Sequence, residues 1–164
     1  MYQGWKFYEM DVEVILHDSG ELLPILLDDD GMPIPLPNEF ILSKRHASSN
    51  TLIRNLREIK LLYEWFQIHK IDLYERLIKK KPFTEAEIIG SLVEFLRKDH
   101  DKRHKTIKIA VKPDTFNQRL ITIRQFLDWY ILRCTSGRYL LHRITINTTS
   151  HIRLDLFPYL IAVL

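Results

Sequence analysis

Apolar and polar positions alternate in two different rhythms along the chain. Near the N-terminus Tyr8, Met10, Val12, Val14 and Leu16 recur at every second position among acids. That period predicts a strand with one buried face. The sequence HDSGE (17–21) follows as a turn, and LLPILL (22–27) reads as a second strand that Pro24 confines to an edge or bulge. Residues 7–27 are therefore expected to form a β-hairpin. DDDG (28–31) is a second turn signal. MPIPLPNEF holds too many prolines for a helix, so 31–40 is expected to be an extended connector.

Beyond residue 43 the rhythm changes to the helical one. Leu52, Leu56, Ile59, Leu62 and Phe66 are spaced by 4, 3, 3 and 4 and predict a helix over about 50–69, capped by Ser48, Ser49 or Asn50. The stretch IDLYERLIKKKP predicts a short helix or apolar turn closed by Pro82. Thr84 and Glu87 match a capping box that opens a helix with Ile88, Leu92, Phe95 and Leu96 on its inner face. Gly90 within it is expected to mark close helix packing. Residues 100–108 read as a polar, basic loop. Pro113 then starts the longest pattern, in which Phe116, Leu120, Ile123, Leu127 and Ile131 form one buried stripe. The whole predicts a mainly α chain preceded by a small β-hairpin.

Charge sharpens this picture. The net charge of +3 conceals a division: residues 1–43 hold one base against nine acids, 44–81 ten bases against four acids, and 97–143 twelve bases against four acids. Two basic blocks behind an acidic front suit a polyanionic partner. The helix from Pro113 carries Thr, Asn, Gln and Arg between its apolar positions, side chains suited to phosphates and base edges. The helix near residue 50 opens with Ser, Asn and Thr followed by Arg at one-turn spacing, and its free N–H groups favour an anion.

Other chemistry finds little footing. The one cysteine, Cys134, can form neither an internal disulfide nor a cysteine-based zinc site, and it is expected to be a small core residue. Asp28, Asp29 and Asp30 cannot all face one ion from a single turn. His100 with Arg103 or His104 lacks the companions that a catalytic or metal site needs. No catalytic residues, metal or cofactor are expected. There is no apolar run long enough to span a membrane and no signal-like N-terminus, so a cytoplasmic location is expected.

The segments LPILLDDDGMPIPLPNEFILSKR, SSNTLIRNLREIKLLYEWFQIHKIDLYERL, FTEAEIIGSLVEFLR and VKPDTFNQRLITIRQFLDWYI together resemble the N-terminal portion of bacterial and phage tyrosine recombinases, the phage-integrase family. The resemblance covers about residues 23–134. It implies a SAM-like four-helix core-binding bundle that forms half of a clamp around duplex DNA at a recombination site, in company with other recombinase protomers. Domains are then expected at 1–42 (acidic leader with hairpin and connector), 43–135 (SAM-like helical DNA-binding domain) and 136–164 (the start of an interdomain segment). Carried over by residue, the DNA contacts would be Ser49, Asn50, Thr51, Arg54 and Arg57 on the first helix. On the last they would be Lys112, Thr115, Asn117, Gln118, Arg119, Thr122 and Arg124. The family's catalytic arginines and tyrosine belong to a separate C-terminal domain that the thirty residues after Cys134 cannot hold. The chain is thus expected to bind DNA without cutting it, as a fragment or truncated product of an integrase. The rival expectation is a helical protein-interaction or oligomerisation module that binds no DNA, working through the acidic hairpin and the apolar tail.

Overall fold

The computed structural model describes residues 8–100 and 110–136. The basic loop from residue 101 and the C-terminal tail from residue 137 lie outside the described residues. The protein is mainly helical, with a two-stranded antiparallel hairpin at its front. It divides after Ile71 into two compact units.

Unit 1 begins with the hairpin, β1 (Asp11–Leu16) and β2 (Leu22–Leu27), in the register Asp11↔Leu27 to Leu16↔Leu22. The turn between them is closed by a bond from His17 N–H to Glu21 C=O at 2.8 Å. Gly20 adopts φ +82°, a conformation that glycine takes without steric cost. Burial falls on β2, where Leu23 and Leu26 are enclosed. The expectation of a buried β1 face holds only for Met10. Val14 and Leu16 are 44% and 69% exposed, because the neighbouring helix covers mainly β2.

The connector is not extended throughout. Helix α1 (Pro35–Ser43) occupies its second half. Its prolines cause no break because both sit in the first turn, where the backbone N–H groups have no intrahelical acceptor to lose. Asn38 ties α1 to the hairpin: Leu26 N–H donates to its Oδ1 at 2.8 Å, and its Nδ2 donates to Leu26 C=O at 2.9 Å. Before α1, Asp28 organises a turn by accepting from the N–H groups of Asp30 and Met32 at 3.0 and 2.8 Å. That is a structural use for the acid run.

Helix α2 (Ser49–Ile68) is the centre of unit 1 and packs on β2 and α1. Leu52, Leu56, Ile59, Leu62 and Phe66 are buried, as their spacing predicts, together with Trp65. The helix closes through Lys70 at φ +52°, with Ile71 N–H reaching Phe66 C=O at 2.8 Å. This is a glycine-type C-terminal motif made with lysine.

Unit 2 starts with α3 (Leu73–Ile78), capped by the Asp72 side chain. It ends in the same manner, with Lys80 at φ +48° and Lys81 N–H bonded to Arg76 C=O. The capping box then forms as predicted at Thr84 and Glu87, at the head of α4 (Glu85–Glu87). A π-helical segment, Ile88–Val93, leads into α5 (Glu94–Arg97). Gly90 lies in that segment, is exposed, and has open space where a Cβ would stand. It does not serve close packing. Helix α6 (Pro113–Ser136) completes the unit and packs on α5. Its predicted stripe is buried at Leu120, Ile123, Leu127 and Ile131, with Phe116 half-buried beneath the Arg97 guanidinium at 5.0 Å. Cys134 is half-buried at the end of α6, and burial raises its thiol pKa. Among the described residues no helix is long and apolar enough to cross a membrane.

Candidate nucleic-acid interface

The DNA-facing residues expected from sequence fall in both units, and the two groups are described separately. The first lies at the start of α2. Ser48 is the N-cap, in extended conformation, and its Oγ accepts from Thr51 N–H at 3.3 Å. The Thr51 hydroxyl faces the same Oγ at 2.9 Å, so Thr51 belongs to the cap. Ser49 and Asn50 occupy the first turn beside it. Asn50, Arg54 and Arg57 are all exposed. Their spacing of four and three places them along one stripe. The acid nearest this stripe in sequence, Glu58, is turned inward and buried.

Just before α2, Lys44 extends this basic surface. Its ammonium stands 4.9 Å over the Phe40 ring. Burial lowers the Lys44 pKa, and the nearby Arg54 charge lowers it further, against an opposing pull from Glu58. An anion received at this place would relieve the repulsion between the two cations. The next residue, Arg45, is already engaged by Glu21 of the hairpin through Nε at 2.6 Å and Nη2 at 2.5 Å. Sequence reasoning passed over Lys44. The signal was its place in the basic run Lys44-Arg45-His46 ahead of a serine-rich helix start, but a Lys between two helices carries no periodicity to mark it.

The second group lies on α6, and the structure does not gather it on one face. Lys112, Thr115 and Asn117 are exposed, and Gln118 and Arg124 are half-exposed. Thr122 is 1% exposed and cannot reach a groove. Its position is enclosed because the buried sector of α6 is wider than the predicted stripe and also takes in Phe126 and Tyr130. Arg119 turns inward as well. Its Nη1 donates to the Leu96 and Lys98 carbonyls at 2.6 and 2.8 Å, binding the end of α5 to α6. Arg119→Ala is therefore expected to destabilise unit 2 by about 2 kcal/mol, read by denaturant unfolding. A variant as stable as the parent would contradict this role. What α6 leaves outward is Asp114, Thr115, Asn117, Gln118, Ile121, Arg124, Gln125, Asp128, Leu132 and Arg133, amide-rich with two acids against two bases.

Among the described residues no cluster of histidine, cysteine or carboxylate side chains could hold a metal ion. No family model, curated protein or solved structure matches the chain.

Proposed function

We propose that the chain binds duplex DNA through the basic stripe of α2, as the core-binding portion of a site-specific tyrosine recombinase. The observation that carries this reading is the exposed line Asn50, Arg54 and Arg57, extended by Lys44, on a helix whose nearest acid is buried. Arginine pairs with phosphate in a planar fork, and Asn50 can contact a phosphate or a base edge from the first turn. The resemblance of the α2 and α6 sequences to recombinase core-binding helices supports the class of element served. On α6 the reading keeps Asn117, Gln118 and Arg124 as polar contacts, with Lys112 and Thr115 at the helix start. Arg119 and Thr122 are released from it, because they are used inside the unit. Fluorescence polarisation with a labelled duplex tests the proposal, and saturable binding in low salt is the expected result.

The rival reading, a protein-interaction module, draws on a different observation. Val14, Ile15, Leu16, Leu22 and Met32 are all exposed on or beside the hairpin. Failure to bind DNA, together with a stable oligomer, would favour it.

A further inference from the structure

Among the described residues the hairpin has one protected edge and one open edge. Leu26 shows which way the backbone groups point. Its N–H donates to Asn38 Oδ1, and its C=O accepts from Ile34 N–H at 3.0 Å and from Asn38 Nδ2. Both groups therefore turn away from β1. In an antiparallel pair the residue opposite must also turn outward, and the same holds at every second position. Opposite Leu26 is Val12, followed by Val14 opposite Pro24 and Leu16 opposite Leu22. Pro24 fits this parity, since its missing N–H would have faced outward. The outer edge of β2 is covered by residues 32–38, including a bridge from Leu27 to Pro33. On the outer edge of β1, Val12 N–H turns to its own Asp11 Oδ1 at 2.8 Å. Val14 and Leu16 present N–H and C=O groups that no described residue meets. Their side chains and that of Ile15 are exposed too. An open apolar edge of this kind is a template for another strand.

We propose that this edge pairs with β1 of a second copy of the chain, antiparallel and symmetric about Val14, to make a four-stranded sheet. The charge pattern selects this arrangement. Symmetry about Val14 sets Val12 against Leu16 of the second copy, Glu13 against Ile15, and Asp11 against His17. No acid then stands directly opposite an acid. A two-residue slip to symmetry about Val12 would put Asp11 directly against Glu13, which is destabilising. Moving the two-fold by one residue keeps the same backbone groups outward, but about Glu13 it sets two carboxylates face to face, and about Ile15 it pairs only Val14 to Leu16 of each strand. His17 is placed for this role: its Nδ1 is held by the Ser19 N–H at 3.2 Å and lies 2.8 Å from the Ser19 hydroxyl, which leaves Nε2 to face Asp11 of the second copy. The contact is self-complementary, as a two-fold dimer requires, and small, so the association is weak and depends on concentration.

The proposal does not rest on DNA binding and is tested without DNA. Sedimentation velocity of the full chain over a hundredfold range of concentration should show monomer passing to dimer. Hydrogen exchange at Val14 and Leu16 amides should slow as the dimer forms. Val14→Pro removes an outward N–H that the β1–β2 ladder does not use, so it should abolish the dimer with the circular dichroism melt unchanged. Val14→Lys, which sets two ammonium groups face to face, should do the same and decides the matter if the proline variant fails to fold. A wild-type chain that stays monomeric throughout would overturn the proposal. So would a dimer that survives in the Lys variant.

Discussion

Replacing Arg54 and Arg57 together with alanine is expected to weaken duplex-DNA binding about a hundredfold in low salt, a loss of about 3 kcal/mol. The reason is geometric. Both side chains are exposed on the stripe that begins at Asn50, and their removal opens no cavity and frees no buried partner. The thermal melt should therefore stay where it is. Polarisation and calorimetry on the same preparation separate the two effects. Lost affinity with an unchanged melt supports the site. Unchanged affinity would remove α2 from it. Lys44→Ala should act in the same direction more weakly, since its ammonium is partly withdrawn over Phe40.

A second effect on stability lies in unit 2, around Glu87, and it depends on pH. Arg76 binds the Glu87 carboxylate with both ends of its guanidinium, one of them at 3.1 Å. The same cation covers the Phe83 ring at 4.3 Å. Thr84 adds its N–H at 2.9 Å and its hydroxyl at 3.2 Å, so four separate donors serve one carboxylate. The Arg76 bond above all, with the Thr84 N–H behind it, holds the Glu87 pKa at about 2, against an ordinary 4.5. A depressed carboxylate stabilises the fold above its unfolded pKa and ceases to do so as pH falls through its folded one. The contribution is thus complete above about pH 4.5 and lost by about pH 2. Allowing for solvent screening of a partly exposed pair, it amounts to about 1–2 kcal/mol. Glu87→Gln should be less stable than the parent by that amount at neutral pH. The difference should close as the pH is lowered through this window. A constant gap between the two melts at every pH would contradict the assignment.

Much of the framework was legible in the residues. The α2 and α6 stripes, the capping box and the two turns of the hairpin region each follow from a local rule that the tertiary structure leaves undisturbed. Helix α1 was hidden because its prolines were weighed by number and not by position; in a first turn they are compatible with a helix. The C-terminal ends of α2 and α3 carried no glycine to announce them, since Lys70 and Lys80 take the left-handed conformation instead. The π-helical segment around Gly90 has no sequence signature of its own, and its glycine looked like a packing device.

The candidate site was legible in a more uneven way. Arg54 and Arg57 stand outward as the α2 periodicity requires. On α6 periodicity located the buried stripe but not its width. Thr122 and Arg119 flank that stripe, and whether flanking residues reach solvent depends on what packs beside the helix. Here α5 supplies backbone carbonyls for Arg119. Those carbonyls exist only once the chain from Leu96 to Lys98 has folded against α6, so no inspection of α6 alone could have found them.

Binding of the intact chain to a labelled duplex, followed as salt is raised, tests the central claim most directly. With Arg54, Arg57 and Lys44, and Lys112 and Arg124 beside α6's amides, each replacing counterions on the phosphate backbone, the logarithm of the association constant should fall against the logarithm of salt with a slope of about −4 to −5. A flat response, or no binding in low salt, would contradict it.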